Sequence, residues 1–395
     1  MFNLRKLNSA DQAQVLKSSP QVNIETVHLA KLDVVRGFAI LCVFFFHTLG
    51  PIFKTDRLSW SGLWLDFSSA PHPSFYVFYP LTFGWIGVPV FFVLSGFLIH
   101  YSYLKSDRFS IFAFYYKRVW RIYPSFIVAL VFCTLFNWIQ GVNPDPNQIM
   151  THILMIYNFD DRYIGGINGS FWSLAVEFQL YLIYPILLLL RRKFGIRKSL
   201  IIILAISLSL NFCILISSYE FGRPSSSVET NFPLLLWFGW ALGCYLAEAY
   251  STGRKVFNLS NLSISLFTLV LLLFSTFRPA SSLVFYYSPA IVAIFLEKYI
   301  WSSRKISSLE KLLIPLGLCS YSFYLWHFPL IYPMSRIFIS IGVSNNPWIQ
   351  MLFVMPIIFG FIFGLSWILY ITVEKRSQSY GRDLWNRMLS KDIVQ

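Results

Sequence analysis

The sequence predicts an all-α fold, a polytopic membrane bundle of about ten transmembrane helices. Of its 395 residues, 56% are hydrophobic, 19% are aromatic and only 13% are charged, a composition that excludes a soluble domain. Apolar runs recur along the chain, and each approaches the length of about 20 residues that a helix needs to cross a bilayer. Basic residues gather in alternate connecting segments, which is typical of multi-pass membrane proteins.

The apolar runs set the predicted spans and the domain boundaries. They cover residues 34–52, 84–104, 122–140, 170–190, 199–217, 232–250, 261–277, 282–300, 312–332 and 349–373. Residues 1–31 are predicted to form a cytoplasmic N-terminal tail that is partly disordered, residues 32–375 the transmembrane domain, and residues 376–395 a cytoplasmic C-terminal tail. The tail before the first span contains no apolar signal-peptide core, so we expect that span to stay as an anchor.

The distribution of charge predicts the orientation of the bundle. The net charge is +14, and with a cytoplasmic N-terminus all but six of the 32 Lys and Arg residues fall in inner segments. The six exceptions are Lys54, Arg57, Arg162, Arg223, Arg278 and Arg336. This asymmetry places both termini in the cytoplasm and explains the positive charge without a nucleic-acid partner.

The five cysteines do not predict a metal site or a disulfide framework. Each lies inside an apolar run, and none has the paired spacing or the neighbouring histidines that a zinc site needs. We therefore interpret them as small residues of the helix packing.

The first span carries the main candidate for chemistry. Arg36 and His47 are eleven residues apart, so on a helix they project from the same face about 16 Å apart along the axis. His47 then lies near the middle of the membrane, where an ionisable group usually marks a functional site. The alternative is that His47 is a neutral core histidine bonded to a backbone carbonyl.

Two further arginines lie at the start of the third span. Arg118 and Arg121 are three residues apart, which places them on one helix face where they can bind a phosphate group together. Arg36 is expected at the same membrane surface. Positive-inside topology alone also places arginines there, so each one taken singly can be an orientation signal.

The fourth span places Ser173, Glu177 and Tyr181 on one helical face. Glu177 is expected close to the depth of His47, and a carboxylate at that depth needs a partner. If the two side chains meet, the carboxylate orients the imidazole and stabilises its protonated form, as a general base requires. Alternatively, Glu177 holds helices together by bonding to Ser or Tyr hydroxyl groups.

Two other spans contribute residues at similar depth. Ser95 and Gly96 lie halfway along the second span, where a small residue such as Gly96 usually permits close helix packing. On the ninth span, Tyr324 and His327 share a stripe that could line a polar passage. Because His327 lies nearer the predicted outer surface than His47, we assign it to an acceptor site rather than to the base.

These motifs resemble those of the membrane acyltransferase-3 family. The resemblance extends from Leu32 to Lys375. The residues that carry it are Asp33, the Arg-x10-His pair Arg36 and His47, FFVLSGFL from Phe91 to Leu98, Arg118 and Arg121 before Tyr123 and Pro124, Trp172 and Ser173 with Glu177, Tyr181 and Pro185, Ser320 and Tyr321 through Tyr324 to His327, and Glu374. The Arg-x10-His and SGFL blocks are the most specific of these.

The resemblance implies an acyl-CoA-dependent O-acetyltransferase of surface glycans in a bacterial inner membrane. Its partners would be the lipid bilayer, acetyl-CoA or another short acyl-CoA as donor, and a glycan or lipid-linked glycan as acceptor. Catalytic roles then fall to His47 as base and Glu177 as its partner. The acyl-CoA site would comprise Arg36, Arg118, Arg121, Tyr123 and Ser95, and the acceptor side Trp172, Ser173, Tyr324 and His327.

Two other functions remain open from the residues alone. A proton-coupled transporter of an acylated or anionic compound could use His47 and Glu177 as a proton relay. Transporters commonly show inverted repeats with helices broken at matched positions, and no such repeat is visible in the sequence. A structural scaffold would leave both buried ionisable residues without a role.

Overall fold

A computed structural model describes residues 24–53, 73–106, 109–143, 145–220, 225–276 and 278–392. The predicted all-helical fold class is confirmed, because 83% of the described residues are helical and none of them lies in a strand. The long helices are α1 (Ile24–Phe53), α2 (Gly87–Leu104), α3 (Ile111–Ile139), α4 (Trp172–Leu182), α5 (Tyr184–Glu220), α6 (Pro233–Ser251), α7 (Asn261–Ser275), α8 (Pro289–Trp301), α9 (Ser320–Ser340), α10 (Met355–Leu369) and α11 (Lys375–Asp392).

Short helical segments connect these helices. They are the α-helices Phe75–Phe78, Pro146–Ile153, Ser227–Thr230, Arg278–Tyr287, Ser308–Lys311, Leu313–Leu318 and Pro347–Ile349, the 3-10 helices Tyr79–Ile86 and Tyr157–Phe159, and the π turns Gln350–Val354 and Tyr370–Glu374. The two π turns join Pro347–Ile349, α10 and α11 into one continuous helical stretch that begins at Pro347.

Within the described residues, seven helical stretches are long and apolar enough to cross a membrane, fewer than the ten predicted spans. They are Ala30–Phe53, Phe75–Leu104, Ile111–Ile139, Tyr184–Ser218, Ser227–Ser251, Leu283–Trp301 and Pro347–Met388. The predicted seventh run is helical, but α7 has only 15 residues. The predicted ninth run corresponds to the short helix Leu313–Leu318 followed by α9, which contains two prolines.

The predicted fourth and fifth runs join at a glycine. The backbone of α5 leaves the helical conformation at Gly195, with φ +76° and ψ 158°, a region that favours glycine because it has no Cβ. The fourth run thus comprises α4 and the beginning of α5, and the fifth is the part of α5 after Gly195. The break expected between these two runs, at residues 191–198, contains this joint.

Glycines bring the central helices together at backbone distance. A Cβ on Gly96 of α2 would lie 1.9 Å from the Trp240 carbonyl oxygen of α6, and one on Gly243 of α6 would lie 2.0 Å from the Val93 carbonyl oxygen. The expected packing role of Gly96 is therefore found. Since neither position can hold a larger side chain without displacing backbone, α2 and α6 form the tightly packed centre of the bundle.

Where the structure describes the two predicted tails, they are helical and contact the rest of the bundle. Residues 1–23 and 393–395 lie outside the described residues, but Lys31 belongs to α1 and is only 2% exposed. Its Nζ donates to the carbonyl oxygen of Ser302 at 2.5 Å. At the other terminus, α11 continues the last span to Asp392 and packs Trp385 against the Tyr116 ring of α3 at 5.2 Å.

Candidate functional site

A pocket opens among α1, α2, α3, α4 and α9, and we call it the arginine pocket. The pocket and its open mouth together span about 880 Å³ of space. Its lining residues are Arg36, Val88, Phe91, Phe92, Leu94, Ser95, Leu98, Ile99, Arg118, Arg121, Ile122, Ser173, Leu174, Glu177, Tyr181, Ser320, Tyr321 and Tyr324. Seven of the eleven predicted site residues line it, namely Arg36, Ser95, Arg118, Arg121, Ser173, Glu177 and Tyr324.

Three arginines give this pocket its positive charge. Arg121 is close enough to both Arg36 and Arg118 to repel them electrostatically. Arg36 forms one ion pair, with Asp33 at 3.6 Å. The Nε atom of Arg118 is buried and has no hydrogen-bond partner in the described part of the chain. Three guanidinium groups this close, one of them with an unused donor, suit an anion that carries several negative charges.

A chain of hydrogen bonds crosses the pocket wall from α6 to α4. Trp240 Nε1 donates to Ser95 Oγ at 3.3 Å, and Tyr181 donates to Glu177 Oε1 at 2.5 Å. The Ser95 and Tyr181 oxygens are 3.1 Å apart, and because the Tyr181 proton is used, Ser95 donates in this contact. The chain holds Glu177 as a hydrogen-bonded carboxylate inside the pocket.

Among the α9 residues that line the pocket, Tyr324 lies farthest from the N-terminus of the helix, and it closes this end of the pocket. Its hydroxyl donates to the Ser170 carbonyl oxygen, so the Ser173 hydroxyl, 2.6 Å away, donates to the Tyr324 oxygen. Tyr324 is 9% exposed, and its ring lies 5.4 Å from the ring of His327. Tyr324 therefore touches the pocket on one side and the histidines on the other.

His47 and His327 form a pair beyond Tyr324. Nε2 of His327 is 3.2 Å from Nδ1 of His47, whose Nδ1 also lies 2.9 Å from the Val43 carbonyl oxygen. Nδ1 of His327 lies 2.7 Å from the Tyr324 carbonyl oxygen. Carbonyl oxygens only accept, so each ring carries its proton on Nδ1 when neutral. We assign the Nε2 lone pair of His47 as the free base and that of His327 as an acceptor for His47.

The loop before α4 is bonded to α9 close to the histidine pair. Asn168 is 3% exposed, and its amide donates to the Leu325 carbonyl oxygen at 3.2 Å while its oxygen accepts from the Ser170 backbone N–H at 3.0 Å. Residues 168–170 match a glycosylation pattern, but the buried, bonded Asn168 side chain has a structural role. The loop fixes Ser170 where its carbonyl oxygen can accept from Tyr324.

A buried histidine outside the predicted spans holds the same loop. The ring of His152 stacks on that of Tyr157 with 3.9 Å between centroids, and Tyr157 donates to the Phe171 carbonyl oxygen at 2.6 Å. Burial lowers the pKa of His152 to about 4, because a charged imidazole would lose its hydration there. The loop thus depends on a neutral His152.

The predicted contact between His47 and Glu177 is not found. His47 bonds to Val43 and His327, whereas Glu177 accepts from Tyr181 and lies within electrostatic reach of Arg36. The reason is the register between helices: α4 packs Glu177 toward the arginines, while α9 brings a second imidazole to His47. His327, assigned by sequence to the acceptor side, is the side chain in contact with the proposed base.

Two other predicted residues lie near the pocket without lining it. Tyr123 packs its ring against Phe178 at 5.6 Å, and Trp172 packs against Phe285 at 6.3 Å. Both are half-buried. Neighbouring residues on the same helices, Ile122 and Ser173, face the pocket instead.

Glu374 is a site residue to which sequence reasoning gave no role. It lies in the π turn after α10, is 5% exposed, and accepts from Ser322 Oγ at 2.8 Å. It is close enough to Arg36 and Arg121 to interact with both electrostatically. The signal in the sequence was a lone acid at the end of an apolar run, and π turns often occur at functional sites.

The chain is similar to several known proteins. The sequence model of the acyltransferase-3 family, described as an acyltransferase domain, matches residues 29–371. The O-acetyltransferase OatA of Staphylococcus aureus is 24% identical over 341 residues, 77% of this chain and 51% of the relative. The acyltransferase MdmB of Streptomyces mycarofaciens is 28% identical over 179 residues, 44% of this chain and 42% of the relative. The chain spans about half the length of the curated relatives it matches, and no solved structure matches it.

Proposed function

Because this chain belongs to the acyltransferase-3 family, we propose that it is an integral membrane O-acyltransferase. It moves an acetyl or other short acyl group from acyl-CoA to a sugar hydroxyl of an extracytoplasmic polysaccharide or its lipid-linked precursor. The similarity to an O-acetyltransferase and to a second acyltransferase supports this class of reaction. The helices of spanning length support a multi-pass membrane protein.

The arginine pocket is the proposed acyl-CoA site. Coenzyme A carries several phosphate charges, which match the three guanidinium groups of Arg36, Arg118 and Arg121. The unused Nε–H of Arg118 supplies a donor for a phosphate oxygen. Apolar side chains such as Val88 and Phe91 also line the pocket, and they suit the thioester arm. In this arrangement the thioester carbon approaches Ser173 and Tyr324.

His47 is the proposed general base. Its Nε2 takes the proton of the acceptor hydroxyl while that oxygen attacks the thioester carbon, and the C–S bond breaks to release the CoA thiolate. The same Nε2 proton then passes to the sulfur, so the imidazole returns to its neutral form. During the step, Nδ1–H of protonated His47 is shared between the Val43 carbonyl oxygen and Nε2 of His327, and both contacts become charge-assisted.

The proposed reaction requires the Tyr324 side chain to move, because it lies between the arginine pocket and the histidine pair. Tyr324 lines the arginine pocket, while its own carbonyl oxygen binds the His327 that contacts His47. This relationship is the observation on which the proposal rests, because one residue joins the anion-binding pocket to the histidine pair through its side chain and its backbone carbonyl. Rotation of Tyr324 away from Ser173 would bring the thioester and the acceptor hydroxyl together.

The proposed orientation follows the charge distribution. The arginine pocket would open to the cytosol, where acyl-CoA is made, and both termini would be cytoplasmic. The histidine side would face the extracytoplasmic acceptor. From the resemblance to its family, we assign the protein to a bacterial inner (plasma) membrane.

Labelled acetyl-CoA supplied to inverted membrane vesicles tests this function. Label found covalently on glycan supports the transferase. Exchange of solute across the membrane without covalent label would instead support the proton-coupled transporter. Comparison of the proton NMR spectra of surface glycan with and without the gene then names the acylated hydroxyl, because an O-acetyl methyl signal appears only where transfer occurs.

A further inference from the structure

A second, apolar cavity lies on the far side of α1 and α2 from the arginine pocket. On α1, Val35 lines this cavity and Arg36 lines the arginine pocket. On α2, Val90 lines the cavity and Phe91 lines the arginine pocket. The cavity and its open side together span about 1490 Å³ of space. The two chambers are therefore separated by the two helices that carry the site.

The cavity walls offer hydrocarbon and few polar groups. The hydroxyls of Thr268 and Ser288 are bonded to carbonyl oxygens of their own helices, at 2.7 Å and 2.9 Å. The remaining walls are formed largely by Val, Ile, Leu and Phe side chains of α1, α2, α7 and α8. Such a space cannot hold ordered water, and left empty it would deprive its lining atoms of dispersion contacts.

The cavity has the length of a lipid chain. It follows one helical stretch from Val284 to Tyr299, which at the rise of an α-helix is about 22 Å. The hydrocarbon core of a bilayer is about 30 Å thick. An acyl chain anchored at one surface would therefore lie along α8 and reach past the middle of the membrane.

Polar residues are concentrated at one end of the cavity, near the first residues of α1. Tyr299 and Glu310 line this end, and Lys31, five residues before Arg36, donates to the carbonyl oxygens of Tyr299 and Ser302. The adjoining exposed cations are Arg254, Lys255, Lys298, Arg304, Lys305 and Lys311. We call these six residues the basic rim.

The acids near the basic rim are already engaged. Glu297 accepts from the backbone N–H groups of Val256 and Phe257, which also ties the segment after α6 to this end of α8. Glu310 pairs with Arg304 at 2.6 Å. The rim therefore keeps a surplus of positive charge.

The segment beside the rim has the features of a membrane interface. Leu309 and Leu312 are 75% and 71% exposed next to Lys311. Exposed leucines beside lysines are typical of a segment that rests at the boundary between headgroups and acyl chains. This depth places the basic rim at the level of lipid phosphates.

We propose that the apolar cavity binds an anionic phospholipid, with one acyl chain along α8 and the phosphate at the basic rim. Basic pockets between membrane helices bind anionic headgroups through the same combination of charge and hydrocarbon. The rim lies at the Lys31 end of α1, and this position favours an ordinary phospholipid over the lipid-linked acceptor, whose sugar must reach His47 farther along the helix. The proposal does not depend on acyl transfer.

The test measures lipid retained by the full-length protein after purification in mild detergent, by native mass spectrometry. Thr268→Trp fills the cavity, and Leu269→Trp is its matched control, because Leu269 is 53% exposed and does not line the cavity. We expect a retained anionic phospholipid in the wild type and in Leu269→Trp, and its loss in Thr268→Trp.

A second variant tests the headgroup site without altering the cavity walls. We expect the triple change Arg304→Gln, Lys305→Gln and Lys311→Gln to abolish the preference for anionic over zwitterionic phospholipid in mixed-lipid nanodiscs. Arg192→Gln with Lys193→Gln, two exposed cations elsewhere, should leave it unchanged. Equal retention in Thr268→Trp and Leu269→Trp, or a polyprenyl lipid as the retained molecule, would overturn the proposal.

Discussion

Nε2 of His327 lies 3.2 Å from Nδ1 of His47 and joins α9 to α1 at the proposed base. Both Nδ1 atoms face backbone carbonyl oxygens, of Val43 and Tyr324. Among the described residues, this arrangement leaves the Nε2 lone pair of His47 free and gives its Nδ1–H two neutral acceptors. A second imidazole thus takes the place that a carboxylate holds in many acid–base pairs.

Replacement of His327 should slow transfer without weakening the donor site. His327→Leu removes one of the two acceptors that Nδ1–H of His47 faces, the other being the Val43 carbonyl oxygen. Loss of a charge-assisted hydrogen bond of about 1–3 kcal/mol predicts a fall in kcat of roughly tenfold to a hundredfold. His327→Gln retains an acceptor oxygen and should recover part of the rate. The measurement is kcat and the KM for acyl-CoA in proteoliposomes. Wild-type kcat in His327→Leu would show that the contact has no catalytic role.

Loss of an arginine in the pocket should weaken acyl-CoA binding. Each charge-assisted hydrogen bond contributes about 1.5–3 kcal/mol, so Arg118→Ala or Arg121→Ala should raise the Kd roughly tenfold to a hundredfold. Lys117→Ala is the matched control, because Lys117 is an exposed cation on the same helix and does not line the pocket. Titration of purified protein with acyl-CoA gives the Kd. An equal Kd for Arg118→Ala and Lys117→Ala would exclude Arg118 from the donor site.

The close approach of α2 and α6 should make one glycine irreplaceable. Gly96→Ala would place a Cβ 1.9 Å from the Trp240 carbonyl oxygen, and overpacking of this kind destabilises by about 1–3 kcal/mol. Gly360→Ala, where nothing lies within 4 Å of the added Cβ, should instead stabilise its helix by up to about 1 kcal/mol. Thermal unfolding in detergent measures both. Equal unfolding temperatures for the two variants would contradict the packing.

Acid should loosen the loop before α4. The pKa of His152 is lowered to about 4 in the fold and lies near 6.5 in an unfolded chain. The unfolded chain therefore binds the proton at a higher pH than the folded chain, and acid favours the unfolded state. The full free energy of unfolding is present above pH 6.5 and declines as the pH falls toward 4. The full difference is at most about 3 kcal/mol.

Hydrogen exchange of the amides in residues 145–170 measures this loss. In the wild type, exchange should quicken between pH 7 and pH 5 beyond its intrinsic pH dependence. His152→Gln cannot be protonated in this range and should remove that extra change. A variant that retained it would show that another group controls the loop.

The sequence predicted the parts of the site that lie on single helices. Helical spacing placed Arg118 beside Arg121 on one face, and mid-span glycine predicted the close approach at Gly96. Contacts between helices could not be read in this way. Glu177 and His47 have suitable depth and chemistry, but depth does not fix which helix faces which.

Breaks within the apolar runs were also beyond the sequence pattern. Hydropathy treats each apolar run as one unit, whereas the structure divides the fourth run into α4 and the beginning of α5 and places a short helix before α9. Gly37 and Gly317 let that short helix pack closely against α1. A Cβ on Gly37 would lie 2.1 Å from the Leu313 carbonyl oxygen, and one on Gly317 would lie 1.9 Å from the Asp33 carbonyl oxygen. Such contacts depend on which helices become neighbours.

The central claim is that His47 accepts the proton of the acceptor hydroxyl during transfer from acyl-CoA. The most direct measurement is the rate at which labelled acetyl passes from acetyl-CoA to glycan in inverted vesicles that contain equal amounts of wild-type protein or His47→Ala. We predict a fall of about 10²–10⁴-fold in His47→Ala, with unchanged binding of acyl-CoA. An undiminished rate in His47→Ala would contradict the account.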